Sequence, residues 1–270
     1  MNGGAEATRS FVSLRTAEGR EIRLEYEWVG APRDEAAATV VFLHEGLGSV
    51  SMWREFPRAF CERHGFAGFV FSRQGYGRST PRPHGEHWQP DFMARQAEDV
   101  LPALLARVGI ARPWLFGHSD GGTIALLHAA RHEAAGVVAV APHLFVEDVS
   151  VASIAKAREA YESGALRERL ARHHADVDSA FYGWNDVWLS PAFRDWNIEA
   201  EIATIRCPVL AVQGEDDEYG TLDQIRAIAR RLPKTRLLVI PKCGHSPHRD
   251  QPELLADNAA RFILDPSHSS

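Results

Sequence analysis

Pro113-Trp114-Leu115-Phe116-Gly117-His118-Ser119-Asp120-Gly121-Gly122-Thr123-Ile124-Ala125-Leu126-Leu127 is the stretch whose reading decides the fold. An apolar run of strand length leads into Gly-x-Ser-x-Gly, and a helical pattern follows through His128-Ala129-Ala130. A serine between a buried strand and a helix sits on a turn sharp enough to strain its backbone, and its Oγ stands clear of both elements. Glycine on both sides fits, because a side chain at Gly117 or Gly121 would collide with the neighbouring strand or helix. Gly122 gives the helix room to lie close on a sheet. The same pattern occurs in ordinary glycine-bearing turns, so its weight depends on partners elsewhere.

Working outward, strands alternate with helices. Phe11–Leu14 and Ile22–Trp28 alternate apolar with polar around Glu18-Gly19-Arg20, which predicts an opening hairpin. Thr39–Leu43, Phe66–Phe71, Gly136–Ala141, Pro208–Val212 and Arg236–Ile240 read as further strands, the first three as continuous buried runs. Helices are predicted over Trp53–Arg63, Met93–Val108 with a kink or restart at Pro102, Leu222–Leu232 and Pro252–Leu264. The alternation predicts an α/β fold, a doubly wound, mostly parallel sheet. It breaks from Val146 to Ile205, a helix-prone stretch with Phe181, Tyr182, Trp184, Trp188, Phe193 and Trp196. We read residues 146–205 as a helical cap inserted after the sixth strand, with residues 1–145 and 206–270 forming the core domain. The simpler alternative is that those aromatics only thicken the core.

Composition narrows the function classes. The chain has 270 residues, 45% of them apolar, and a formal net charge of −6 with no basic block, which argues against a nucleic-acid partner. The start, Met1 to Glu6, has no apolar leader, and the longest apolar stretch, near Gly136–Leu144, is too short for a bilayer. Cys61, Cys207 and Cys243 are odd in number and lack metal-type spacing. They predict reduced thiols in a cytoplasmic protein, with no metal, no cofactor and no membrane partner. Oligomeric state is not readable.

A serine hydroxyl needs a base to take its proton and an acid to orient that base. In an open parallel sheet such groups gather just past the carboxyl ends of strands. Two places qualify: Gly214-Glu215-Asp216-Asp217-Glu218 and Pro241-Lys242-Cys243-Gly244-His245. We take His245 as the base, with His248 second, and Asp217 as the acid, with Asp216 the alternative. Two N–H donors are needed for an oxyanion, and the candidates are Asp120 and, in the turn after Leu43, Gly46. His143, Trp184 and Trp188 are candidate pocket residues. The Asp120 carboxylate either bonds locally to the elbow or faces a cationic substrate group.

With these residues in place, the sequence resembles the α/β-hydrolase superfamily over nearly its whole length. Gly117–Gly121 matches the elbow, His44 opens the oxyanion turn, and Gly75-Tyr76-Gly77-Arg78-Ser79 matches the G-x-G-x-S after the fourth strand. The resemblance implies an eight-stranded sheet, a Ser119–His245–Asp217 triad, and a cap like those of enol-lactonases, ring-fission C–C hydrolases, haloperoxidase-like esterases, and epoxide and haloalkane hydrolases. The last two use an elbow aspartate, which Ser119 is not. Glu45 departs from the family, which has Gly after that histidine. A buried anion there would oppose the developing oxyanion, so its side chain should turn away or pair with a cation. The implied activity is hydrolysis of a small carboxylic ester or lactone on a small-molecule substrate. C–C or thioester cleavage on the same triad, or a ligand sensor built on the fold, are the alternatives.

Overall fold

The computed structural model describes residues 10–265 and residue 267; the leader reading of Met1 to Glu6 lies outside them. Ser10–Arg15 (β1) and Glu21–Gly30 (β2) form the expected hairpin, with Leu14 opposite Ile22. The buried runs become Thr39–Leu43 (β3), Ala67–Phe71 (β4), Trp114–His118 (β5), Gly136–Val140 (β6) and Val209–Gly214 (β7). Arg236–Ile240 (β8) closes one edge with Leu237 and Val239 facing solvent. The eight strands lie in the order β1-β2-β4-β3-β5-β6-β7-β8. Strands β3 to β8 run parallel, and β2 pairs antiparallel with both neighbours.

Side chains alternate across the sheet and feed two cores. Val40, Phe42, Phe116 and Val138 face one way, against Phe56–His64 (α1) and, later in the chain, Pro252–Ile263. Val41, Leu43, Leu115 and Val137 face the other way. There they meet Phe92–Arg95 (α2), Leu101–Val108 (α3) and Asp120–Arg131 (α4). Phe42 and Phe116 are fully buried with ring centroids 5.3 Å apart, each contributing about 2–3 kcal/mol of burial free energy.

One helix boundary differs from the sequence reading. Trp53 closes a 3-10 turn, Val50–Trp53, and α1 begins only at Phe56, where Pro57 fits a first turn that needs no N–H from it. At Pro102 the helical tract restarts, one of the two outcomes expected there: a π turn over Gln96–Val100 precedes α3, and Pro102 sits in the first turn of α3.

Between β6 and β7 the chain forms Asp148–Glu162 (α5), Ala165–Ala171 (α6) and Val177–Leu189 (α7), then two short 3-10 turns. Tyr161 stacks on Phe181 at 3.7 Å, and Phe193 stacks on Trp196 at 5.0 Å, so part of this aromatic set is core. Asp223–Arg231 (α8), Pro247–Asp250 (α9) and Pro252–Ile263 (α10) complete the chain. The three cysteines are free, and burial pushes the thiols of Cys61, Cys207 and Cys243 up to about 12, 11 and 11. Among the described residues no helix is long and apolar enough to cross a membrane.

Candidate active site

Ser119 joins β5 to α4 with φ 53° and ψ −121°, a backbone region costly for any residue but glycine. Its N–H donates to Val140 O at 2.9 Å, and its carbonyl accepts from Thr123 N at 3.0 Å, so both sides of the turn are pinned. A Cβ at Gly117 would strike the Gly121 carbonyl, and one at Gly121 would strike that of Leu43. The two flanking glycines are thus demanded by backbone contact.

The loops after β7 and β8 meet the elbow. Asp217 Oδ1 lies 2.8 Å from His245 Nδ1 and also accepts from Tyr219 N, while Gln213 Nε2 holds Oδ2 at 3.1 Å. Burial would raise the Asp217 carboxyl, but the hydrogen bond and charge of His245 and the Tyr219 N–H hold it below its ordinary value. Burial works against a charged His245 in turn, yet Asp217, Glu218 and Glu45 together hold its pKa above 6.5. Asp216 places its N–H on Cys243 O, and it is the Asp217 carboxylate that meets the histidine. Glu218, to which the sequence reading gave no role, accepts from His245 N at 3.1 Å.

The turn after β3 is clamped from β4. His44 Nδ1 donates to Glu45 O at 2.7 Å, its Nε2 accepts from Arg73 N, and the buried Arg73 guanidinium donates to Glu45 O at 2.8 Å. Burial, then the Arg73 charge, pushes His44 well below the ordinary histidine value, which matches this neutral tautomer. No motif marks Arg73 in the sequence. Its burial two residues beyond the end of β4, in a position that looks like loop, is a signal only the structure supplies. Gly46 packs so closely on Trp184 that a Cβ would overlap the indole. Glu45 turns its carboxylate to His118 Nδ1 and Arg249, at 3.5 Å from each, as its neutralisation required. Burial would raise it; contact with His118 and the charges of His118, His248 and Arg249 keep it well below the ordinary value.

Ser119, His245, Gly46, Asp120, His143, Trp184 and Trp188 all line one cavity of about 740 Å³, together with Ile154, Leu166 and Leu170 of the segment between β6 and β7. His143 is buried, and burial takes its pKa down to about 3, so it lines the cavity as neutral imidazole. Asp120 is fully buried, and its carboxylate makes no hydrogen bond back to the elbow among the described residues; the Trp188 indole is the neutral donor that faces it. Burial raises its pKa to about 6, with Arg73 and Trp188 offsetting only part. His248 lies behind the cavity, 4.9 Å from Trp53 and 4.8 Å from His118 between ring centroids. His118 was not singled out by the sequence. Its Nε2 meets His245 O at 2.7 Å and so holds the loop that carries His245.

A strained serine at the strand–helix junction of this sheet, with a carboxylate-bound histidine lining the same cavity, marks a hydrolase. The chain belongs to the alpha/beta hydrolase family, whose model matches residues 40–258, and it is an enzyme of that hydrolase class. The protein named "Putative carbamate hydrolase RutD" from Caulobacter sp. strain K31 is 28% identical over 261 residues, covering 88% of this chain and 93% of that one. A thermophilic esterase from Thermogutta terrifontis superposes with a TM-score of 0.72 at 21% identity, covering 96% of this chain and 99% of that one. The enol-lactonase from Burkholderia xenovorans LB400 gives 0.71 at 20% identity, over 94% and 100%. The last two likenesses are of fold.

Proposed function

We propose that the chain cleaves a small carboxylic ester or lactone through an acyl-enzyme, with Ser119 as nucleophile, His245 as base and then acid, and Asp217 orienting His245. The observation that carries this reading is the shared cavity of Ser119 and His245, with the Nδ1 side of His245 committed to Asp217. That leaves Nε2 to take the Ser119 proton as Oγ attacks the carbonyl carbon. The oxyanion would receive the N–H of Asp120, at the start of α4 where backbone donors lack intrahelical acceptors, and the N–H of Gly46. His245 then protonates the leaving oxygen, and water retraces the path to free the acid and restore Ser119.

Glu45 supports this reading by where its charge goes. Its carboxylate is spent on His118 and Arg249, so it need not oppose the oxyanion. The segment 146–205 would act as a cap, since α5, α6 and α7 each give residues to the cavity wall. His143 and Trp184 would be substrate-contacting walls. Carbamate, ester and enol-lactone hydrolysis, the activities in the relatives' names, all begin at an acyl carbonyl. Three unpaired thiols fit a reducing, cytoplasmic setting.

Intact-mass labelling with a fluorophosphonate tests the assignment. Wild type should take one adduct and Ser119→Ala none, after which an ester and lactone panel ranks substrates. An unlabelled but folded wild type would overturn the triad assignment and favour a sensor.

A further inference from the structure

Among the residues around the cavity are four exposed cations, Arg54, Lys156, Arg169 and Arg249, on a chain whose overall charge is −6. Arg249 is matched by Glu45 at 3.5 Å. Arg54, Lys156 and Arg169 have no carboxylate within ion-pair distance among the described residues. Other exposed arginines are of both kinds: Arg95, Arg167 and Arg236 meet an acidic side chain, whereas among the described residues Arg107, Arg112 and Arg206 do not, so it is the placement of three such cations around one cavity that sets this group apart. The same lining carries the apolar side chains of Leu47, Met52, Ile154, Leu166, Leu170 and the two tryptophans.

Arg54 adds a second kind of observation. It holds φ 53° and ψ −138°, nearly the conformation of Ser119, where glycine would sit without strain. It is also close enough to His173 to depress that imidazole, after burial, together with Arg172, Arg249 and Arg78. Arg54 therefore belongs to a cluster of cations beside His173, while the acidic side chains on the cavity lining are Glu45, which meets His118 and Arg249, Glu218, which accepts from His245 N, and the buried Asp120.

Resting on the serine-hydrolase reading above, we propose that Arg54, Lys156 and Arg169 select esters or lactones carrying a carboxylate or phosphate, separated from the scissile carbonyl by a short apolar span. The anion is held at the mouth, the span lies along the tryptophan and leucine wall, and the carbonyl reaches Ser119. Half-solvated cations steer and orient an anion more than they tighten it, so the effect should appear in kcat/KM and fade with salt.

The test compares p-nitrophenyl monoesters of succinic, glutaric and adipic acids with neutral p-nitrophenyl esters of matched length. On wild type at low salt, the best ω-carboxylate ester should exceed its neutral match in kcat/KM by about tenfold, and 0.5 M NaCl should erase most of that margin. In the triple variant Arg54→Gln, Lys156→Gln, Arg169→Gln the ratio should fall at least about tenfold; Lys156→Gln alone serves if the triple variant does not fold. Protection of Ser119 from fluorophosphonate by glutarate and by glycerol phosphate identifies the preferred anion. A wild-type ratio at or below one, or a ratio untouched by substitution and by salt, overturns the proposal while leaving the hydrolase reading intact. Absence of labelling strikes the hydrolase reading instead, and glutarate binding to Ser119→Ala by calorimetry then decides the anion site alone.

Discussion

Two histidine–carboxylate pairs stand side by side in this molecule, with His245 and His118 ring centroids 5.1 Å apart. In the first pair, Asp217 takes Nδ1 of His245 at 2.8 Å and leaves Nε2 for the cavity. In the second, Glu45 faces Nδ1 of His118 at 3.5 Å, and Nε2 is already spent on the carbonyl of His245. His118 is next to Ser119 in sequence, yet strand alternation puts it on the face with Trp114 and Phe116. What separates the pairs is the nitrogen left over. On the function proposed above, one ring would exchange a proton with a substrate, while the other positions a loop.

Substituting the two rings in turn breaks or upholds this contrast, with the largest effect expected at His245. His245→Gln should lower kcat toward an activated ester by on the order of 10⁴-fold or more, and His118→Gln by about tenfold, through a looser His245 loop. Steady-state kinetics with fluorophosphonate labelling separates the two, since His118→Gln should still be labelled. Equal losses would mean the pairs act as one unit.

The carboxylates differ next. Asp217→Asn should cost on the order of 10³–10⁴-fold in kcat, because the amide favours the wrong histidine tautomer. Asp216→Asn, whose backbone alone is engaged near the site, should stay within about twofold. A larger loss at Asp216 would reassign the acid.

Asp120 is the third carboxylate at the site and, unlike Asp217 and Glu45, is not paired with a histidine. Its pKa, about 6 against an ordinary 3.8, means the folded state binds the proton more tightly than the unfolded state. Stability therefore falls as pH rises from about 4 to about 6, and above that the penalty is constant at about 3 kcal/mol at most. Asp120→Asn should raise Tm at pH 7.5 and bring no gain near pH 4. A thermal melt series over pH checks it, and a destabilised variant at pH 7.5 would show that the carboxylate has a partner.

Much of this was legible in the sequence, because it rests on local constraints. Apolar runs of strand length marked β3 to β6, and Gly117 and Gly121 announced a turn that backbone contact enforces. His245 and Asp217 were reachable because both lie just past strand ends. Arg73, His118 and Glu218 were not, since their roles come from long-range contacts with Glu45 and the His245 loop. The restart at Pro102 was legible from the proline, but the π turn over Gln96–Val100 that precedes it carries no mark in the residues themselves.

The smallest effect tests whether the two pairs are coupled. The general base must be neutral to accept the Ser119 proton, so kcat/KM should rise with pH through the folded-state pKa of His245. Burial lowers that pKa, and the anions around the ring, Asp217, Glu218 and Glu45, more than reverse it, which sets the rising limb above 6.5. Asp217→Asn should move the limb of the residual activity down most. Glu45→Gln should move it down less, although Glu45 touches His118 and not His245, because its charge reaches the neighbouring ring through a poorly screened interior. A limb that moves in Asp217→Asn and stays fixed in Glu45→Gln would make the second pair purely mechanical. Movement in both would mean that the loop-holding pair also tunes the base.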